Sequence, residues 1–332
     1  MNDSVAPPAP LAPERLQQAC EIVNRIRREM ANAVVGQEAV LDAVLACCLA
    51  GGHILLEGVP GLGKTLLVNT LAKTFSGNFS RIQFTPDLMP ADVMGHAVFD
   101  LKNQSFSIRK GPVFTHLLLA DEINRAPAKT QSALLEVMQE RQVTIEGESH
   151  RLESPFMVLA TQNPLENEGT YPLPEAQLDR FLVKVYIDYP SEAEELAMLN
   201  LTTRGRIGDG LDVSRVATLI KPETMVTLQQ ITAQIRVDDA VARYAVQLVR
   251  ATRNWPGLSI GAGPRGSIAL IRMARATALL AGRDHVQPSD IKQVSLPVLR
   301  HRVALSPDAE LDGMHSDQLL TQLIEQTPAP RA

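Results

Sequence analysis

The chain has 332 residues, a formal net charge of −5, 45% hydrophobic residues and 21% charged residues. That length exceeds one ordinary core of about 150 residues and predicts two domains. An acidic balance with only 4% aromatics argues against a groove that tracks nucleic acid with basic and stacking side chains. No run approaches the roughly 18 consecutive apolar residues of a membrane helix. The opening MNDSVAPPAPLAP has neither the basic start nor the apolar stretch of a signal peptide. Cys20, Cys47 and Cys48 show no ligand or redox spacing, so free thiols in a reducing cytoplasm are expected, the last two buried.

Residues 1–13, rich in Pro and Ala, read as a disordered tail. Helices follow over 14–30 and 38–49, the second ending before Gly51-Gly52. HILLEG (53–58) is a short apolar strand, and TLLVNTLAKTF after it has helical spacing. FSRIQF (79–84), THLLLADE (115–122), PFMVLATQN (155–163) and FLVKVYI (181–187) read as further strands, with a helix over AKTQSALLEVMQE between the second and third. Short continuous apolar strands alternating with helices predict a parallel sheet covered on both faces, with ligand at the carboxyl ends of its strands. ERQVTIEGESHRL (140–152) reads as a β-hairpin. After DYPSEAEE the pattern turns to helices only. Val241, Tyr244, Ala245, Leu248 and Val249 mark one apolar face, PRGSIALIRMARATALLAG is another helix, and Ser289 is expected to cap the next. The resulting organisation is an α/β core over 14–189, an all-helical lid over 190–310 and a C-terminal helix and tail over 311–332.

GVPGLGKT, Gly58 to Thr65, follows a strand and opens a helix. Its spacing and context are those of a phosphate loop. In the loop Gly58, Pro60, Gly61, Leu62 and Gly63, the glycines let backbone N–H groups curl around anionic oxygens, and the helix N-terminus, continuing into Leu66, adds positive potential. Lys64 places a point charge on the terminal phosphates, and Thr65 offers a hydroxyl to Mg²⁺. Asp121 and Glu122 end a later strand, where such a fold needs one acid for the metal and a second to polarise an attacking water. Asn163 ends the next strand and could orient that water or touch the γ-phosphate, although Asn before Pro is also an ordinary turn signal. Arg180, in PEAQLDRF, is either a finger toward a neighbouring copy's γ-phosphate or a partner of Asp179 or Glu175. Arg265, in GPRGS, would project from the first turn of a lid helix, where it could report phosphate state. Arg272 and Arg275 on the same helix read as solvated or paired.

In this order, Lys64, Asp121-Glu122, Asn163, Arg180 and Arg265 resemble the Walker A, Walker B, sensor 1, arginine finger and sensor 2 of an AAA+ ATPase. VVGQEAV (34–40), with Val35 and Gly36, resembles that family's segment bordering the adenine pocket. The stretches QFTPDLMPADVMG, GPVFTHLLLADEINRAPAKTQSALLEVMQERQVTI, ATQNPLENEGTYPLPEAQLDRF and VLRHRV are similar to the MoxR subfamily, over roughly residues 34–305. The resemblance implies ATP with Mg²⁺ and a five-stranded sheet followed by a helical lid. It also implies a ring, usually a hexamer, with sites between subunits and Arg265 serving its own site or a neighbour's. It implies a chaperone-like role toward client proteins, often with a von Willebrand factor A domain partner. TPDLMPADVMG (85–95) then opens an insert running to about residue 108, with Thr85 expected to cap a first turn, Pro90 to open a second, and Leu88, Met89 and Met94 to pack locally or meet a client. The hairpin becomes a pore-facing element. A nucleic-acid motor, a metal-chelatase motor subunit and a nucleotide-gated scaffold are the alternatives within this fold. Glu146 and Glu148 near the hairpin turn weigh against the first.

Overall fold

The computed structural model of the chain describes residues 11–58, 62–102, 104–163, 170–203, 213 and 216–330. The predicted tail therefore lies almost wholly outside the described residues. Helix α1 (Pro13–Ala33) opens on a proline, whose missing N–H has no intrahelical partner to lose there. Its Ala19, Val23, Ile26 and Met30 recur at helical spacing and are buried. Helix α2 (Glu38–Leu49) buries Cys47 and Cys48, and burial pushes both thiols up, Cys48 to about 12, so neither is a ready nucleophile.

The core continues as β1 (Ile54–Gly58), α3 (Lys64–Thr74), β2 (Phe79–Gln83), α4 (Pro90–Met94), the hairpin β3 (Gly95–Asp100) and β4 (Ser105–Lys110), then β5 (Leu117–Asp121). Next come α5 (Ala128–Glu140), the hairpin β6 (Gln142–Ile145) and β7 (Glu148–Arg151), β8 (Met157–Gln162), α6 (Glu175–Leu178) and β9 (Val183–Ile187). Five strands form one sheet in the order β2-β5-β8-β1-β9, and every pair is parallel. Side-chain alternation splits each central strand between two cores. Ile54, Leu56, Leu117, Leu119 and Leu159 face one, with α1, α2, α3 and the C-terminal helices, while Leu55, Leu118, Ala120, Val158 and Ala160 face the other, with α5. Burial on both faces explains why these strands read as unbroken apolar runs.

The remaining elements are α7 (Glu192–Thr203), α8 (Pro222–Gln234), α9 (Asp239–Ala251), β10 (Leu258–Ile260), α10 (Pro264–Leu280), α11 (Pro288–Leu299), β11 (Ala304–Leu305), α12 (Pro307–Leu311) and α13 (Ser316–Gln326). Helix α9 buries the five residues that its periodicity predicts. The expectation of helices alone needs correction, because β10 and β11 form a small antiparallel pair. Ser289 does not cap α11. Pro288 takes the first helical position, so the cap falls on Gln287, whose N–H donates to the Asp290 carboxylate at 2.7 Å.

The 85–95 segment also differs in detail from its sequence reading. The Thr85 hydroxyl donates to the Asp87 carboxylate at 2.6 Å rather than capping a turn, because Leu88 N–H already closes that turn on the Thr85 carbonyl. Pro90 does open α4, and Gly95, at φ 100, ends it. Periodicity did not announce the β3–β4 hairpin that follows, whose residues are mostly exposed and so carry no apolar alternation. Backbone contact closes its base: a Cβ on Gly111 would lie 2.4 Å from the Val93 carbonyl oxygen. Leu88 and Met94 pack on the α5-side core, whereas Met89 is exposed. The predicted β6–β7 hairpin forms with Glu146 and Gly147 at its tip, both at positive φ, as a tight turn of this hand requires.

Candidate functional site

Strand β1 delivers the phosphate-loop sequence to the carboxyl edge of the sheet. Gly63, at φ 73, caps α3 in a left-handed conformation that a Cβ would strain, and a Cβ there would meet nothing within 4 Å, so the constraint is backbone shape. Pro60 and Gly61 lie outside the described residues. Leu62, Gly63, Lys64, Thr65 and Leu66 line a cavity of about 380 Å³ together with Gly58, Val35, Asp121, Glu122 and Asn163. That size suits a nucleotide. Ten of the residues singled out from the sequence, drawn from four separate stretches of the chain, thus line one cavity. Gly36 is not in the lining. It lies under Glu194 of α7, whose Cδ would be 2.7 Å from a Cβ at that position.

Lys64 Nζ donates to the Gly58 carbonyl at 2.9 Å. Burial pushes its ammonium below the ordinary range, against the opposing pull of Asp121, Glu122 and Glu57. Asp121 and Glu122 are held by residues that the sequence reading did not single out. Asp121 Oδ1 accepts from the Thr161 hydroxyl at 2.5 Å, and Oδ2 pairs with Arg81 Nη2 at 2.6 Å. Thr161 also accepts from the Glu122 N–H at 2.8 Å, so one hydroxyl on β8 fixes both acids at the end of β5. Glu122 itself sits at φ 55, in the left-handed region, and its carboxylate pairs with Arg125 at 2.9 Å. The signal available for Thr161 was a polar residue closing a buried apolar strand. Arg81 had a signal of the same kind, a basic residue on a strand whose neighbours turn inward. The Asp121 carboxylate and the Thr65 hydroxyl line the same cavity, a donor pair that suits Mg²⁺, which keeps waters and takes its other oxygens from phosphate.

Arg180 and Arg265 are not part of this cavity. They line a second one, of about 330 Å³, with Gly52, Arg141, Asp179, Arg272 and Arg302, and the two cavities share no residue. Arg180 follows α6 in a turn, and its Nη1 donates to Gln139 Oε1 at 2.6 Å and to the Leu135 carbonyl at 3.1 Å. Asp179 is engaged instead by Arg302 at 2.8 Å and Arg265 at 3.7 Å. Arg272 is bonded to the Ala50 and Gly51 carbonyls. Gly52 precedes β1 and Gly58 ends it, so the two cavities stand at opposite ends of the same strand, about 20 Å apart at strand rise.

Residues 53–183 match the model of the ATPase family associated with various cellular activities, and 250–323 match an AAA lid domain. Chaperone MoxR1 of Mycobacterium tuberculosis is 42% identical, with 98% of this chain and 88% of the relative covered. The chain belongs to the MoxR-type AAA+ ATPases. Protein MoxR of Methylorubrum extorquens, at 33% identity, spans 92% of this chain and 94% of its own length. A crystal structure from Cytophaga hutchinsonii, described as a candidate ATPase, is 40% identical, superposes with a TM-score of 0.88 and covers 96% of this chain and 98% of its own. As a MoxR-type ATPase, the chain is a nucleotide-binding enzyme with the α/β core and helical lid that its sequence predicted. No helix among the described residues is long and apolar enough to cross a membrane.

Proposed function

We propose that this ATPase works as a ring, in which ATP and Mg²⁺ lie between two copies of the chain and turnover remodels a client protein complex. The observation that carries the reading is the placement of Lys64, Asp121 and Glu122 at one end of β1 and of Arg180 and Arg265 at the other. One chain cannot apply both sets to one phosphate group across that distance. A neighbour that offers its arginine cavity to this chain's phosphate loop completes the site, and repetition of the contact closes a ring. In this reading Arg265, like Arg180, serves the neighbour's site.

Within the site, the loop and α3 N-terminus bind the polyphosphate, Lys64 bridges its terminal groups, and Thr65 and Asp121 hold Mg²⁺. The metal supplies charge neutralisation of the transferred phosphoryl group. Glu122 takes the proton of the attacking water, which its position beside the metal acid allows, and Asn163 orients that water. Arg180 stabilises charge that develops only in the transition state, a contribution of about 10³–10⁵ in rate for such fingers. Val35 borders the base end of the cavity. The chaperone named among the relatives supports a protein client, and a partner bearing a von Willebrand factor A domain is the form that the subfamily resemblance favours.

Mixing tests the shared site. Lys64→Ala and Arg180→Ala are each expected to lack turnover. Mixed together they should regain part of it, because some junctions pair an intact loop with an intact arginine cavity. Failure to regain turnover in rings shown to have exchanged subunits would rule the shared site out. Glu122→Gln should retain ATP and capture the client, so a pull-down in ATP identifies the partner.

A further inference from the structure

The acid proposed to hold the metal is already balanced by a cation of the chain itself. Asp121 Oδ1 is taken by the Thr161 hydroxyl, and Arg81 Nη2 lies 2.6 Å from Oδ2. The Arg81 side chain is 48% exposed and Asp121 17%, so the pair sits at the mouth of the cavity with the acid inside and the guanidinium outside. Strand geometry sets this up. Arg81 stands opposite Leu119 and Gln83 opposite Asp121, so Arg81 reaches diagonally along the strand to the acid. Gln83 shares its face, and its Oε1 lies 3.3 Å from the same Nη2. Strand β2 is the edge of the sheet, and the Arg81 side chain is half exposed there.

We infer that Arg81 is a built-in stand-in for the divalent cation: its guanidinium neutralises Asp121 while no metal is bound, and the metal displaces it toward Gln83. Three features support this. Guanidinium stays charged at any working pH, so it balances the acid at all times. It occupies the oxygen that Thr161 leaves available, so a metal approaching Asp121 meets Arg81 first. The guanidinium already donates to the Gln83 amide oxygen at 3.3 Å, so it keeps a partner on its own strand when it leaves Asp121. Without Arg81, Asp121 would draw on Lys64, the cation that an incoming polyphosphate needs. The inference rests on the nucleotide reading of this cavity.

The test compares binding of a fluorescent ATP analogue with excess EDTA and with saturating Mg²⁺. Binding by the wild-type chain in Mg²⁺ carries the parent reading, and the variants carry this one. Arg81→Gln is expected to weaken EDTA binding by about tenfold while changing Mg²⁺ binding by less than about twofold, the size of an unbalanced charge at a half-exposed site. Arg81→Lys, which keeps the charge, should restore most of the EDTA binding. In an Asp121→Asn background, where no charge needs balancing, Arg81→Gln should lose its effect in EDTA. Equal weakening in both conditions would make Arg81 an ordinary phosphate contact and overturn the stand-in. No change in either condition would overturn it too. Matching circular dichroism and melting profiles identify variants that are folded.

Discussion

His53 gives the core a sensitivity to acid whose size can be worked out. It immediately precedes β1, is buried, and bonds at both ring nitrogens. Nδ1 accepts from the Val158 N–H at 2.9 Å, which leaves Nε2 to carry the proton and donate to the Met138 carbonyl at 3.1 Å. A second ring proton would point at the Val158 N–H, in a setting where burial already disfavours charge. The imidazole is accordingly held down at about 4, against an ordinary value of 6.5. Because the unfolded chain then takes up a proton before the folded chain does, stability is complete above about pH 6.5 and is lost as pH falls toward 4. The gap corresponds to about 3 kcal/mol, of which about 2–3 kcal/mol should be gone by pH 4.5. His301, also buried and pushed well below 6.5, adds a slope of the same sign, so the measurement has to be a contrast. Gln at position 53 can accept from Val158 and donate to Met138 without titrating. Urea unfolding of wild type and His53→Gln, followed by circular dichroism at about pH 7.5 and about pH 4.5, should show the wild type losing more by about 2–3 kcal/mol. Equal losses in the two proteins would refute the argument.

Other expected outcomes follow from single contacts. Lys64→Ala should abolish binding of a fluorescent ATP analogue while leaving the melting temperature nearly unchanged, since among the described residues its side chain donates only to the Gly58 carbonyl. Gly52→Ala places a Cβ 2.4 Å from Leu182 Cδ2 and should lower stability by about 1–3 kcal/mol in denaturant titration. Arg302, with 3% of its side chain exposed, bonds Asp179 and the Phe181 and Leu182 carbonyls. Arg302→Ala should cost about 3–5 kcal/mol by the same measurement. Glu122→Gln should bind ATP at wild-type affinity and release no phosphate in a turnover assay.

Much of the core was legible because burial on both faces writes a strand as a plain apolar run. LLLAD and MVLATQ needed no partner to be recognised, and the phosphate-loop spacing fixed which ends of the strands mattered. The β3–β4 hairpin was not legible, since strands exposed on both faces leave no period in hydrophobicity. Ser289 was misread because a cap depends on where the proline sits rather than on which residue could cap. Residues of the candidate site were visible where their chemistry is unusual in sequence, as with Lys64 and Asp121-Glu122. Arg81 and Thr161 were not, because their importance comes from register between strands that are distant in the chain. The separation of Arg180 and Arg265 from the phosphate loop likewise follows from which end of β1 each one reaches.

The bonds around Phe181 join two parts of the chain that could otherwise move independently. Its carbonyl accepts from Arg302 at 2.7 Å and lies 3.0 Å from His301 Nε2, and both residues lie just past the Arg300 cap of α11. Phe181 is the next residue after Arg180, so the helical region grips the backbone one peptide away from that guanidinium. Any tilt of α11 must either break those bonds or carry Arg180 with it. In the proposed ring, the linkage would act as a short lever, in which the posture of the lid sets how far Arg180 extends toward the adjoining copy.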